Sequence, residues 1–242
     1  MREVEFRPST LEEREAFYRK EFDINKVKRW FKKNGMKLPQ ICALDAGTDT
    51  GIIKNPKLKG EMIYFLFSEL KGKIKEYVPE DVYYDRGRYK HAWQKLRHLN
   101  KKSWTEQEIV FDVDSDNISK CDKLNGRCLS TAYSYAKNMK NALKKYFKEM
   151  KMVYSGRGFH IHILDKKAYM MNKHERKEFT AKFRRFPIDL WVSQGNIELI
   201  RLPYSLNSLV SRKVTPINKK FRAKEAIPDF LKKNYLLFLF LA

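Results

Sequence analysis

Hydrophobic and polar residues alternate most regularly in IVFDVDSD, residues 109–116. Successive side chains of a β-strand point to opposite faces, so Asp112 and Asp114 share one face and Phe111 lies on the other. Asp116 continues this spacing by one more step. Carboxylates about 6–7 Å apart along a strand repel each other unless a cation lies between them. The pattern therefore predicts a strand with a cation-binding face.

The segments after this strand predict a helix and a hairpin. Apolar residues recur at spacings of three and four from Ala132 to Met150, and lysines occupy the opposite side, which is typical of an amphipathic helix packed on a sheet. Residues 152–164, MVYSGRGFHIHIL, then indicate a strand, a glycine-containing turn and a second strand. A β-α-β-β order of this kind favours an α+β sheet domain.

Further elements are predicted before the aspartate strand. Residues 9–34 indicate a helix that Ser9 or Thr10 caps. Residues 41–53 indicate two strands joined by a glycine-rich turn, and residues 61–76 indicate another helix. No repeat or low-complexity linker divides this part from the rest of the chain.

Length and composition fit one large domain. The chain has 242 residues, of which 43% are hydrophobic, and this is enough to bury a substantial core. We expect a single domain over residues 1–242, with an N-terminal lobe over about residues 1–105 and a motif-bearing sheet over about residues 106–242.

The chain is strongly basic. Its 51 Lys and Arg residues against 29 Asp and Glu residues give a net charge of +22. A charge of this size attracts polyanions, which makes nucleic acid the leading partner. A basic surface with no specific partner has the same composition, so the charge by itself leaves this second interpretation open.

Cysteines and apolar runs bear on the compartment. Cys42, Cys121 and Cys128 form no even framework, which predicts a reducing environment. Cys121 and Cys128 have no two further ligands nearby, so we expect no structural zinc.

The start MREVEFRP is unlike a signal peptide. The longest apolar run, residues 235–242, is shorter than the roughly 20 residues of a membrane span and predicts a buried edge strand or a docking surface. We therefore expect a soluble, cytoplasmic protein with no membrane partner.

Two later stretches contain candidate ligand-binding groups. In SGRG, residues 155–158, the glycines allow the backbone to approach a ligand, and the serine hydroxyl and arginine guanidinium suit a phosphate. His160 and His162 share one strand face directly after it. Further on, Asp189 stands near a predicted strand start and Arg201 in a short strand. Taken singly, these patterns are those of ordinary hairpins.

Three motifs in order resemble those of one family. IVFDVDSD, VYSGRGFHIHIL and IDLWVSQGNIELIRLPYSLN are similar to the motifs of the archaeo-eukaryotic primases, most closely of the archaeal DNA primase small (catalytic) subunit, in a compact form. The resemblance implies a primase-polymerase catalytic core, with a mixed or antiparallel RRM-like sheet flanked by helices and an N-terminal α/β lobe. It also implies a nucleotidyltransferase that makes or extends primers from nucleoside triphosphates on a single-stranded DNA template. A primase large subunit or another replication protein is the implied partner.

The resemblance assigns roles by position. Asp112 and Asp114 match a pair of catalytic, metal-binding aspartates, and Asp189 matches a third, whereas Asp116 is interpreted as a turn or loop acid. The three aspartates imply two Mg²⁺ or Mn²⁺ ions about 3.5–4 Å apart, one activating the attacking 3′-hydroxyl and one neutralising the leaving pyrophosphate. The residues expected to bind the nucleotide are Ser155, Gly156, Arg157, Gly158, His160, Arg201, Arg212 and Lys213.

The chain departs from the family pattern at several positions. Gly195 stands where many relatives have another aspartate, Asn207 where a histidine is usual, and Leu209 where a lysine is usual. Losing the histidine and the lysine removes two phosphate contacts. We expect Arg212 or Lys213 to replace them.

Two other functions fit part of the sequence. His160 and His162 form a His-hydrophobic-His motif that can bind one metal ion, and Tyr133 or Tyr135 could be the nucleophile of a replication-initiator nuclease. That interpretation leaves the aspartate pair and SGRG unexplained. The second alternative is a non-catalytic nucleic-acid-binding module or accessory subunit, for which three carboxylates beside phosphates are unfavourable.

Overall fold

The structure is a computed structural model that describes residues 5–46, 62–98, 103–119, 121 and 123–232. The helices are α1 (Leu11–Lys20), α2 (Ile24–Lys33), α3 (Leu70–Tyr77), α4 (Ala92–His98), α5 (Gly126–Leu143), α6 (Lys166–Tyr169), α7 (Lys173–Ala181) and α8 (Leu190–Ser193). The strands are β1 (Ile41–Asp45), β2 (Met62–Leu66), β3 (Asp81–Asp85), β4 (Gly87–Tyr89), β5 (Trp104–Gln107), β6 (Ile109–Asp114), β7 (Met150–Tyr154), β8 (Gly158–Ile163), β9 (Leu199–Arg201), β10 (Leu206–Asn207), β11 (Arg212–Lys213) and β12 (Thr215–Ile217).

The described strands form two main sheets. The larger sheet has the order β11-β10-β3-β1-β2, with β9 also paired to β3, and the smaller sheet has the order β12-β7-β8-β6. A separate hairpin joins β4 to β5, and every described pairing is antiparallel. The prediction of an α+β fold with an antiparallel sheet and flanking helices is confirmed. Strands β9 to β11 lie in the larger sheet, so the motif-bearing sheet predicted over about residues 106–242 is divided between two sheets.

The strand predicted from alternation is present as β6. Phe111 and Val113 pack in a hydrophobic core together with α5. Val110 belongs to a second core, which contains side chains of the larger sheet. Because side chains alternate along a strand, Asp112 and Asp114 lie on the side of β6 that faces the larger sheet. The aspartates therefore stand between the two sheets.

The helix predicted over residues 9–34 is divided into α1 and α2. Thr10 caps α1, as expected, in a capping box with Glu13. Asp23 then accepts a hydrogen bond from the Asn25 backbone N–H at 2.8 Å and starts α2. An aspartate competes with the helical backbone for its N–H groups, so it favours a new helix start over an uninterrupted helix.

Two predicted helix boundaries are wrong. Residues 62–66 of the helix predicted over residues 61–76 form β2, in which Leu66 is paired with Ile41 of β1. A partner strand supplied by distant residues overrides the helical periodicity of this short apolar run. The helix α5 ends at Leu143, and Met150 starts β7. The periodic pattern continues to Met150 because the residues after the helix pack into the same core.

The cysteine prediction requires a correction. Cys121 and Cys128 are joined by a disulfide, with Cα atoms 5.6 Å apart, while Cys42 is buried as a thiol. Cys128 lies in the first turn of α5 and Cys121 in the turn before it, so the helix start brings them together. The expectation of a reducing environment, drawn from an odd cysteine count, therefore lacks support.

None of the helices in the described parts of the chain is long and apolar enough to cross a membrane. The apolar run predicted to dock, residues 235–242, lies outside the described residues.

Candidate active site

Asp112 and His160 are the centre of the site. They are directly opposite each other on the paired strands β6 and β8, and Asp114 is opposite Gly158. His160 Nε2 lies 3.5 Å from Asp112 Oδ1. The period-two pattern of both strands thus brings the first predicted aspartate and the predicted histidine onto one surface.

Asp189 reaches this surface from a distant part of the chain. Its backbone N–H donates a hydrogen bond to the Asp112 carbonyl oxygen at 2.8 Å. Ile188 forms an isolated bridge with Val113, which aligns the segment with β6. The Asp189 carboxylate accepts from the Val192 N–H at 3.0 Å and caps α8, so the strand start predicted at this position is a helix start.

The three aspartates perturb one another. Burial, then the carboxylates of Asp114 and Asp189, raise the pKa of Asp112 to about 8, against the opposing attraction of Arg201 and Arg86. Asp112 Oδ1 is also buried without a hydrogen-bond partner. A carboxylate in this condition is stabilised by an added positive charge.

His160 is held in its neutral form. Burial, with the positive field of His162, Arg201 and Arg86, lowers its pKa well below the usual value. A neutral imidazole has one N–H donor and one acceptor nitrogen. His160 therefore has an uncharged hydrogen-bonding ring beside the aspartates.

The donor set fits a divalent metal ion. Carboxylate oxygens are the ligands that Mg²⁺ and Mn²⁺ prefer, and the unpartnered oxygen of Asp112 is one such ligand. Asp114 and Asp189 each use Oδ1 to accept backbone hydrogen bonds. Within the described ranges no three His, Cys, Asp or Glu side chains are close enough together to hold a metal ion. Binding of a metal ion by all three aspartates would therefore require the Asp114 and Asp189 side chains to move towards Asp112.

Hydrogen bonds within the SGRG turn stabilise its conformation. The Ser155 backbone N–H donates to the Gly158 carbonyl oxygen at 3.0 Å, and the Ser155 hydroxyl accepts from the Gly158 N–H at 3.0 Å. Gly156 has φ +105°, which favours glycine. A Cβ at Gly158 would overlap the Val113 carbonyl oxygen. The serine hydroxyl thus shapes the turn, and the second glycine lets β8 lie close to β6.

Asn207 supports this turn from the larger sheet. It is fully buried, and its Nδ2 donates to the Ser155 carbonyl oxygen at 2.9 Å. Its side chain also stands where a Cβ on Gly156 would lie. Asn207, which stands where a histidine is usual, is therefore an uncharged residue that stabilises the turn.

Two predicted cations near the site have acidic partners. Arg157 forms an ion pair with Asp116, which lies in the short helical turn Ser115–Asn117 after β6. Arg201 donates two hydrogen bonds to Asp81, at 3.1 and 2.8 Å. Burial opposes the charge of Arg201, but Asp81, Tyr83 and Asp112 together raise the pKa of Arg201 above its usual value. The interpretation of Asp116 as a turn acid is confirmed.

Arg212 and Lys213 have protein partners as well. Arg212 is buried, donates to the Val210 and Ser211 carbonyl oxygens at 3.1 and 3.0 Å, and lies 4.1 Å from the centre of the Phe6 ring. Lys213 Nζ lies 3.2 Å from Glu21 Oε2. A phosphate contact by either cation would require it to exchange these partners.

A buried network below the site was missed by the sequence analysis. His162 Nδ1 lies 2.8 Å from Glu108 Oε1, and the Tyr84 hydroxyl donates to Glu108 Oε2 at 2.7 Å. All three side chains are buried. An acidic residue directly before an apolar strand is the signal that could have identified Glu108 as a paired group. The network fixes His162, two residues from His160 on the same strand face.

Known proteins are similar to this chain over most of its length. A family model described as DNA primase small subunit matches residues 111–188. An uncharacterized DNA primase small subunit-like protein of Archaeoglobus fulgidus is 33% identical, covering 97% of this chain and 91% of that protein. The DNA primase small subunit of Pyrobaculum calidifontis is 31% identical, covering 50% of this chain and 41% of that protein.

A solved structure is also similar. The polymerase domain from Mycobacterium tuberculosis ligase D in complex with DNA superimposes with a TM-score of 0.46 and 12% identity, covering 74% of this chain and 73% of that one. A structural similarity of this size carries no functional conclusion. Identity of 33% over nearly the whole of both chains does define the relationship, and the chain belongs to the DNA primase small subunit family.

Proposed function

We propose that the protein is a template-directed nucleotidyltransferase that makes or extends primers from nucleoside triphosphates on a DNA strand. The observation that supports this most directly is the position of Asp112. Its Oδ1 is buried and has no hydrogen-bond partner, and its pKa is raised to about 8 by burial and by two other carboxylates. Membership of the primase family supports DNA as the template.

Asp112, Asp114 and Asp189 would hold two Mg²⁺ or Mn²⁺ ions. When bound, such ions activate the attacking 3′-hydroxyl and neutralise the leaving pyrophosphate. The SGRG turn allows the triphosphate to approach the backbone next to these carboxylates. Arg157 would exchange Asp116 for the triphosphate, because a guanidinium binds phosphate oxygens in a bidentate geometry. Neutral His160 would donate or accept one hydrogen bond without repelling a metal ion.

Replacing the three aspartates by asparagine tests the proposal. Asp112→Asn, Asp114→Asn and Asp189→Asn should each lower nucleotide incorporation by on the order of 10²–10³-fold, since the metal contribution is worth several kcal/mol. Affinity for DNA should be unchanged or increased, because each change removes a negative charge. The control is Asp116→Asn, which removes an aspartate at the same spacing, leaves the three proposed metal ligands unchanged and releases Arg157 from its ion pair towards the triphosphate. It should retain incorporation.

The assay uses labelled nucleotides on a DNA template, with and without a primer, in Mg²⁺ and in Mn²⁺. The two primer conditions separate initiation from extension. Incorporation at the wild-type rate by Asp114→Asn contradicts the proposal. A wild-type protein that incorporates no nucleotide in either metal contradicts it too, and favours the non-catalytic binding module.

The nuclease alternative is less well supported. Tyr133 packs against Phe159 and its hydroxyl accepts a hydrogen bond from the Phe221 N–H at 3.1 Å. Phe159 and His160 are adjacent in β8, so their side chains point to opposite faces of the sheet. A tyrosine nucleophile at this position would be on the wrong side of the sheet from the histidines. A covalent protein–DNA adduct would revive the alternative.

A further inference from the structure

A cavity is lined in part by α8, the helix that follows Asp189. It has a volume of about 420 Å³, within the range of about 300–1,000 Å³ for small-ligand sites. Residues from β5, from α7 and its N-cap, and from α8 and the turn after it line the cavity, and they include Trp104, Trp191, Lys173, Asn172 and Asn196. The helix α8 that carries Trp191 is the one that Asp189 caps. The cavity, called here the tryptophan cleft, is thus connected to Asp189 through α8.

Its two indoles are available to a ligand. Trp191 is 67% exposed, and Trp104 is partly exposed. The described aromatic pairs include neither residue, so their ring faces are not covered by another ring. A single exposed hydrophobic side chain is ordinary on a protein surface. Two indoles that line one concave site are the arrangement on which successive bases stack.

The tryptophan cleft is rigid where Trp191 is attached. Arg86 is buried, and its Nη2 donates to the Val192 and Ile197 carbonyl oxygens at 2.7 and 2.5 Å. The Asn196 N–H donates to the Trp191 carbonyl oxygen at 3.0 Å. A ring held by a fixed backbone loses little freedom on binding, which favours affinity.

The charge of the cleft suits a polyanion. Among its described lining residues there is no Asp or Glu. Lys173 is exposed at the start of α7 and forms no ion pair with a residue that the structure describes. Arg176 forms part of the wall and adds a second positive charge. The side-chain amides of Asn172 and Asn196 add donors and acceptors for base edges.

We propose that the tryptophan cleft binds unpaired bases of a single-stranded nucleic acid by stacking on Trp191 and Trp104, with Lys173 contacting the backbone phosphate. If the proposed function holds, the ligand is the template strand next to the site of nucleotide transfer. Stacking tolerates every base because each has a π-face, so the cleft would bind without sequence preference.

Fluorescence anisotropy with a labelled oligo(dT) tests the proposal, in EDTA and without nucleotides. Trp191→Ala should weaken binding by on the order of 5- to 150-fold, the effect of removing one base–aromatic stack, and Trp191→Phe should restore most of it. The matched control is Trp93→Ala, which removes an indole that is 52% exposed on α4, outside the cleft. It should bind within about twofold of the wild type, since its loss removes no stack.

An oligonucleotide of equal length and charge that contains abasic sites isolates stacking from phosphate attraction. The wild type should bind it more weakly than oligo(dT), whereas Trp191→Ala should bind both alike. Wild-type affinity of Trp191→Ala for oligo(dT), or equal binding of the two probes by the wild type, overturns the proposal and leaves the cleft to another ligand.

These binding results are independent of catalysis. A wild type that needs Trp191 to bind DNA but incorporates no nucleotide would refute the proposed function and keep the cleft assignment. A wild type that incorporates nucleotide while Trp191→Ala binds DNA normally would do the reverse.

Discussion

Replacing Asp81 by asparagine removes the acidic partner of Arg201 while keeping nearly the same shape. The pair is largely buried, with 3% of the Asp81 side chain and 17% of the Arg201 side chain exposed. Removing one member of a buried pair destabilises a protein by about 3–5 kcal/mol, because the remaining charge is desolvated and unpaired. The residual exposure of Arg201 places the expected loss near the lower end, at about 3–4 kcal/mol.

For a chain of this size, 1 kcal/mol shifts the Tm by about 2–4 °C. We therefore expect Asp81→Asn to lower the Tm by roughly 6–16 °C in thermal unfolding followed by circular dichroism. The double variant Asp81→Asn/Arg201→Met should be less destabilised than the sum of its single variants, by about 2–3 kcal/mol, because it no longer leaves a buried charge unpaired.

The control is Glu15→Gln, which breaks the ion pair of Glu15 with Arg19, whose side chains are 56% and 74% exposed. It should change the free energy of unfolding by less than about 1 kcal/mol. The reasoning would be refuted if Asp81→Asn lowered the Tm no more than Glu15→Gln does. Strict additivity of the two single variants in the double variant would refute it too.

Two further predictions concern the backbone and pH. Gly158→Ala should unfold at a much lower temperature than the wild type, because its Cβ overlaps the Val113 carbonyl oxygen, whereas Gly72→Ala, with no atom within 4 Å, should be neutral or stabilised by up to about 1 kcal/mol. Equal Tm values for the two variants would contradict this. Burial, then the Glu198 carboxylate, raise the pKa of Asp85 to about 6, so the folded state binds a proton more tightly than the unfolded state, whose pKa is about 3.9. Stability should therefore fall as the pH rises from about 4 to about 6, and Asp85→Asn should remove up to about 3 kcal/mol of this fall, measured by urea denaturation at pH 4 and pH 7.5. The same difference between variant and wild type at both pH values would contradict the pKa argument.

Local pattern was sufficient to predict the strands that carry the site. The alternation in residues 109–114 and the order strand, turn, strand around SGRG are properties of short segments, and both are present in the structure. The same local information misassigned residues 62–66, because the decisive contact is with β1, a distant strand. It also extended α5 to Met150, since residues in a turn and a strand can face the same core as the helix.

The partners of the site residues were much less predictable. Asp81 is far from Arg201 in sequence, and nothing in either segment specifies their pairing. Asn207 was identified as a departure from the family pattern, but its contact with the Ser155 carbonyl oxygen depends on how the two sheets are placed. Pairings of this kind depend on the relative positions of distant segments, which periodicity does not encode.

The pairing of β6 with β8 has a consequence for how the gene can change. Asp112 faces His160 across this ladder while Phe111 faces Ile161 on the core side. A shift of one residue in the pairing register moves every side chain of the strand to the other face, so the aspartate face and the core face are exchanged. Insertion or deletion of a single codon within either strand therefore disrupts the core and the aspartate-bearing face together, and selection for folding alone protects the spacing of the aspartates. Substitutions that keep the register have no such protection, so a descendant selected for folding alone would be expected to keep strand lengths and alternation long after the carboxylates themselves were replaced.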